Sequence, residues 1–123
     1  MKNILVVDDS PTMRRMVIAS LRLLPDLSFA EAGNGLETIE RLALGPVDLV
    51  VLDLNMPDMH GIEVIEFLRA HQAYRNIPVL VLTTRGDETS RSDALAAGAT
   101  LYLTKPFNPN ELVAQARILL KTA

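Results

Sequence analysis

The sequence predicts an α/β protein: a five-stranded parallel sheet with five helices distributed over both faces. Three observations predict it. Four short apolar runs, Ile4-Leu5-Val6-Val7, Leu49-Val50-Val51-Leu52, Val79-Leu80-Val81-Leu82 and Leu101-Tyr102-Leu103-Thr104, have the form of strands buried on both faces. Between them lie stretches whose apolar residues recur at helical spacing. Turn-forming residues, among them Gly33-Asn34-Gly35, Gly45-Pro46 and Gly98, separate the two kinds of segment. Strict alternation of strand and helix implies a parallel sheet, joined by right-handed crossovers.

The first strand ends at Asp8-Asp9. Ser10 then suits an N-cap and Pro11 the first helical position. A helix from Pro11 to Leu24 places Met13, Met16, Val17, Ser20, Leu21 and Leu24 on one face and leaves Arg14, Arg15 and Arg22 wet. Pro25-Asp26 ends it, and a short strand runs from about Ser28 to Ala32. Leu36 to Leu44 forms the second helix. After the strand ending at Asp53, the segment Asn55-Met56-Pro57-Asp58-Met59-His60-Gly61 reads as a loop. In a third helix, Ile62 to Ala70, the residues Ile62, Ile65 and Leu68 face inward while Glu63, Glu66 and Arg69 stay wet. Pro78 opens the fourth strand, and Arg85-Gly86-Asp87-Glu88 is a polar loop. A fourth helix reaches about Ala97 and is capped by Gly98. After Lys105-Pro106-Phe107, a last helix begins at Asn108 or Asn110, with Leu112, Val113, Ala116, Leu119 and Leu120 apolar.

At 123 residues, 49% hydrophobic and 22% charged, the chain is expected to form a single domain, residues 1–123, with a full core. A net charge of -3 gives no general attraction to nucleic acid or to an anionic membrane. Zero cysteines exclude disulfides, thiolate metal sites and cysteine nucleophiles. Met1-Lys2-Asn3 leads into an apolar stretch too short for a signal peptide, so a cytoplasmic location is expected. With no DNA-binding module after Lys121, output is expected through protein contacts, unless the chain is part of a longer regulator.

In sheets of this kind, ligands bind beyond the carboxyl ends of the strands. That edge gathers Asp8, Asp9, Asp53, Thr83 and Lys105. Three acids crowded together need a cation, and carboxylates that leave room for water and phosphate suit magnesium. Asp9 alone would serve equally well by favouring the helix dipole after Ser10-Pro11. Asp53 is the candidate nucleophile, because a carboxylate can attack phosphorus and form an acyl phosphate. An isolated Asp at a strand end would be only a turn former, but Met56-Pro57 and Gly61 build a tight loop that can expose it. Thr83 can donate to a phosphoryl oxygen, or simply close a strand. Lys105, set between an apolar strand and Pro106-Phe107, offers a point charge to the transferring group.

Val6-Val7-Asp8-Asp9-Ser10-Pro11-Thr12-Met13-Arg14-Arg15, Asp53-Leu54-Asn55-Met56-Pro57 and Leu103-Thr104-Lys105-Pro106-Phe107 are similar to the motifs of one family. Over its whole length the chain resembles the receiver domain of bacterial two-component response regulators, closest to the stand-alone chemotaxis type. The resemblance implies the flavodoxin-like strand order 2-1-3-4-5. It implies that Asp53 is the phosphoacceptor, and that Asp8 and Asp9, with Asp53 and the backbone carbonyl of Asn55, hold Mg2+. It implies that Lys105 and Thr83 bind phosphoryl oxygens, that Tyr102 is a switch aromatic moving inward with Thr83, and that the Lys105–Pro106 bond is cis. Its partners would be a histidine kinase or phosphotransfer protein and a downstream protein target, the latter met through helix four, strand five and helix five, roughly Asp87 to Lys121.

The chain departs from the family pattern at three places. Thr84 stands where a smaller residue is common, His60 replaces a common Asp, and Arg85 stands where the chemotaxis type often has an acid. In the family, the positions of Arg85 and Asn55 flank the path of the hydrolytic water, so Asn55, Thr84 and Arg85 are candidate timing residues. Three other functions share parts of the pattern. A haloacid-dehalogenase-type phosphatase would need a general acid where Asn55 stands, and a cap. A phosphorylation-independent interaction module would not need every charged position filled. A flavin-binding role would meet an acidic first loop, Asp8-Asp9-Ser10-Pro11, that repels a phosphate.

Overall fold

The computed structural model of the protein describes residues 1–56 and 58–121. Among these residues the elements are β1 (Lys2–Val7), α1 (Pro11–Leu21), β2 (Leu27–Ala32), α2 (Gly35–Leu44), β3 (Leu49–Leu52), α3 (Gly61–Ala70), β4 (Val79–Thr83), α4 (Glu88–Ala97), β5 (Leu101–Thr104) and α5 (Pro109–Leu120). Pro57, to which the sequence assigns part of the tight loop after Asp53, lies outside the described residues.

All strand pairs are parallel, and the order is β2-β1-β3-β4-β5. The continuous apolar runs have the expected cause: successive side chains point to opposite faces, and both faces are covered. Ile4, Val6, Leu49, Val51, Leu80 and Leu82 face one cluster with Val17, Ile18 and Leu21 of α1 and Leu112, Val113, Ala116 and Leu120 of α5. Their neighbours Leu5, Val7, Val50, Leu52, Val79 and Val81 face the other, with Leu42 of α2, Val64, Ile65 and Leu68 of α3, and Ala94 of α4. The edge strands β2 and β5 are only partly buried; the run Leu101-Tyr102-Leu103-Thr104, read as buried on both faces, lies at the sheet edge with only Tyr102 buried and Thr104 exposed.

Each helix begins at the carboxyl edge of the sheet under a side-chain N-cap: Ser10, Asn34, His60, Asp87 and Asn108. The caps satisfy N–H groups that the first helical turn leaves unpaired. His60, in place of the common Asp, caps α3 through Nδ1, which accepts from the Ile62 N–H at 3.2 Å. Gly98 closes α4 in the left-handed region, φ 118°. Gly45 ends α2 in an extended conformation, as suits the residue before Pro46.

Three further expectations need correction. Helix α1 stops at Leu21 rather than Leu24, and its buried stripe is Val17, Ile18 and Leu21. Met16 is 50% exposed, outside the core. Arg14 and Arg69 are not wet: both fold back onto backbone carbonyls.

Candidate functional site

Strand order decides where the chemistry gathers. From β1 the chain runs outward through α1 to β2, then returns through α2 to β3 on the other side of β1. The crevice at this reversal lies beyond the ends of β1 and β3. Asp8 and Asp53 follow those two strands directly, held by ladder bonds from the Asp8 N–H to the Ala32 carbonyl and from the Asp53 N–H to the Val7 carbonyl. They are 4% and 5% exposed. Asp9 is exposed beside them. One oxygen from each of Asp8, Asp9 and Asp53 can be chosen so that all lie within 4.8 Å of one another.

Lys105 follows β5 and reaches back across the sheet edge. Its Nζ lies 2.6 Å from Asp8 Oδ2 and 3.4 Å from Asp53 Oδ2. The other oxygens are also engaged: Asp8 Oδ1 accepts from the Ser10 N–H at 2.9 Å, and Asp53 Oδ1 from the Asn55 N–H at 3.3 Å. The Lys105–Pro106 peptide bond is cis. One ammonium cannot neutralise three carboxylates, two of them buried. The all-oxygen donor set and its surplus of negative charge fit a hard divalent cation.

Above this cluster, Arg85 is a hub. Its Nε donates to Asn55 Oδ1 at 2.7 Å, and Asn55 Nδ2 donates onward to Thr84 Oγ1 at 3.4 Å. The Arg85 N–H donates to Thr83 Oγ1 at 3.4 Å, and its carbonyl accepts from the Tyr102 hydroxyl. Thr83 is fully buried and Tyr102 is 7% exposed. Burial raises the Tyr102 pKa, aided by the Asp87 charge, so the hydroxyl stays protonated and able to donate. The sequence-predicted residues thus form two groups. Asp8, Asp9, Asp53 and Lys105 share one cluster, while Asn55, Thr83, Thr84 and Tyr102 are joined through Arg85.

The sequence reading missed two participants. Asp58, in the β3–α3 loop, accepts from the Gly35 and Leu36 N–H groups at 3.0 and 3.2 Å, tying that loop to the start of α2. These bonds hold its carboxyl below the usual carboxylate range. Arg14 donates to the Asp8 carbonyl. No local pattern announces either contact, although Asp58 stands in the loop that follows Asp53. Gly61 has a firmer warrant than turn formation: a Cβ there would lie 2.6 Å from Leu54 Cα and 2.8 Å from the Asp53 carbonyl oxygen.

The response regulator receiver domain family model matches residues 4–117. The chemotaxis protein CheY1 of Helicobacter pylori is 37% identical over 120 residues, covering 97% of each chain. Among solved structures, the chemotaxis response regulator CheY4 of Vibrio cholerae superposes with a TM-score of 0.88 at 33% identity, over 97% of this chain and 98% of that one. The Mn(2+)-bound form of response regulator Rcp1 gives 0.87 at 27% identity, over 100% and 97%. A family match across almost every described element, with a relative aligned nearly end to end, makes this chain a member of the response regulator receiver domain family.

Proposed function

We propose that the protein is a phosphorylation-controlled switch in which Asp53 takes a phosphoryl group from the phosphohistidine of a kinase or phosphotransfer protein. One observation carries the assignment: Asp53 is a buried carboxylate at the switch point, within reach of an ammonium and of two further carboxylates. An Asp53 oxygen attacks phosphorus in line as the donor's P–N bond breaks, and the bonding pair leaves with the imidazole nitrogen. Asp8, Asp9, Asp53 and the Asn55 carbonyl are the residues that would hold magnesium, which supplies charge neutralisation at the transferring group. The manganese in Rcp1 supports a divalent ion in a related fold. Lys105 moves from Asp8 towards a phosphoryl oxygen, and Thr83 turns its hydroxyl from the Arg85 N–H to another. The protein assists its own phosphorylation and dephosphorylation and turns over no separate substrate.

The acyl phosphate carries about -1.5 to -2 charge. Because Arg85 is bonded to Thr83, Asn55 and Tyr102 at once, a shift of Thr83 is passed to Tyr102 through one residue. Tyr102 lines a cleft of about 300 Å³ with Arg91, Leu103, Pro106, Phe107 and Glu111, on the α4–β5–α5 face. That face is the proposed contact for a downstream protein target, in chemotaxis by analogy with the relatives' names. The Arg85–Asn55–Thr84 chain lies beside the phosphoacceptor and is proposed to set how long the phosphoryl group survives. The phosphatase alternative finds no general acid at Asn55, whose amide is already held by Arg85 and Thr84. A cytoplasmic location belongs to the same proposal; among the described residues, no helix is long and apolar enough to cross a membrane.

Intact-mass measurement after mixing with a small phosphodonor and magnesium tests the assignment. One phosphate should add to the wild type and none to a folded Asp53→Asn variant. An adduct that persists in Asp53→Asn overturns it.

A further inference from the structure

The geometry points to Arg14 as the residue that aims the Asp8 and Asp9 carboxylates at one ion. This rests on the proposed use of Asp8, Asp9 and Asp53 as the magnesium site. Adjacent residues in a strand direct their side chains to opposite faces. Asp8 and Asp9 can therefore serve one ion only if the peptide between them is turned out of the strand. The bonds divide there. The Asp8 N–H still belongs to the sheet, donating to the Ala32 carbonyl at 3.1 Å. The Asp8 carbonyl, the oxygen of the Asp8–Asp9 peptide, has left it and accepts from Arg14 Nη1 at 2.5 Å.

Arg14 is itself fixed. Its Nε donates to Glu31 Oε1 at 2.9 Å, and its side chain is only 16% exposed. Glu31 lies near the end of β2, and Arg14 rises from the second turn of α1. The guanidinium thus spans the ends of β1 and β2 and fixes the plane of the peptide joining two metal ligands. Gly33 leaves space for it: a Cβ at that position would come within 3.3 Å of Nη1. Lysine could not do the same work, because a single ammonium lacks the planar fork that serves two acceptors at set angles.

Charge and geometry predict opposite signs. A guanidinium beside a cation site repels the cation, so as a mere neighbouring charge its removal would tighten magnesium binding. As a positioning residue, its removal weakens binding by about 10- to 100-fold, the range for groups that orient metal ligands. The test is calorimetric titration of Mg2+ into the wild type, Arg14→Ala, Arg14→Lys and Glu31→Gln, with circular dichroism as a check on folding. Weaker binding is expected in all three variants, smallest in Glu31→Gln, which keeps a neutral acceptor. With a small phosphodonor, the Mg2+ concentration for half-maximal rate should rise, while the rate at saturating Mg2+ returns to the wild-type value. A folded Arg14→Ala or Arg14→Lys that binds Mg2+ as tightly as the wild type, or more tightly, overturns the inference. If Arg14→Ala does not fold, Arg14→Lys decides it, because it keeps the charge and loses only the planar fork. A wild type that binds no Mg2+ overturns the magnesium site itself, and this inference with it.

Discussion

Two cations are folded into opposite ends of the sheet, and their partners differ in kind. At the carboxyl edge, Lys105 faces the carboxylates of Asp8 and Asp53. At the amino edge, Arg69 of α3 donates through Nε and Nη2 to the Gly98 carbonyl at 3.1 and 2.8 Å, and through Nη1 to the Arg75 and Ile77 carbonyls at 3.1 and 2.8 Å. Backbone carbonyls cannot be exchanged without moving the chain, so Arg69 is a fixed tie between α3, the end of α4 and the approach to β4. Carboxylates can rotate, bind a metal or be phosphorylated, so Lys105 can change partners while the fold stays put. The type of partner, rather than burial of the charge, separates the site from the scaffold.

Exchanging the two losses is the strongest way to break this contrast. Lys105→Ala should slow phosphorylation from a small donor by on the order of 10²-fold or more, as loss of one donor to a developing anion does. It should also lower the unfolding midpoint in metal-free buffer, because three carboxylates remain without their ammonium, and Mg2+ should restore much of the difference. Arg69→Ala should do the reverse. It leaves carbonyls without donors and should cost about 2–4 kcal/mol of stability, with no recovery on adding Mg2+ and an unchanged phosphorylation rate per folded molecule. Denaturant unfolding with and without Mg2+, beside a phosphorylation time course, reads both. A Lys105→Ala chain insensitive to Mg2+ would erase the distinction.

A smaller effect is expected where scaffold and site meet. The N-terminus of α3 approaches β3 so closely at Gly61 that an added methyl must displace the Leu54 backbone or the Asp53 carbonyl. Gly61→Ala should cost about 1–3 kcal/mol, and it should also slow phosphorylation, because the atoms that yield belong to the backbone of the proposed phosphoacceptor Asp53 and of Leu54 that follows it. Loss of stability at an unchanged rate would place Gly61 with Arg69 on the scaffold side.

The same contrast explains what was legible in the sequence. Asp8, Asp53, Thr83 and Lys105 were readable because each closes an apolar strand, and parallel strands bring their ends to one edge. Arg14 and Arg69 were not. Helical periodicity assigns a charged residue to the wet face, but a long side chain can lay its stem along the protein and bury its head against carbonyls. Met16 failed for the opposite reason. Met16 and Ile18 are both apolar, so spacing alone could not say which way α1 is rotated, and packing against α5 chose Ile18. Asp58 caps a helix that begins 23 residues earlier in the chain, a contact that only the fold creates.

Acid should separate the two ends most gently. Hydrogen bonds from the Gly35 and Leu36 N–H groups hold the Asp58 carboxyl below its ordinary value, and bonds from the Ser90 N–H and hydroxyl do the same for Asp87. Both residues lie in loops at the carboxyl edge, before α3 and α4. A carboxyl whose folded value is depressed contributes stability that is fully present above its unfolded value of about 4 and is lost as pH falls through the folded value. Asp58→Asn and Asp87→Asn should therefore lower the denaturant midpoint slightly at neutral pH, and the gap to wild type should close as the solution is acidified below about pH 4. The Arg69 tie keeps its charge throughout that range, so the deficit of Arg69→Ala should persist where those of the carboxylate variants vanish. Denaturant midpoints of the three variants followed from neutral to acid pH make the comparison. A gap for Asp58→Asn that stays constant with pH would mean that the loop is held by packing around Met59 and Gly35 rather than by the ionised cap.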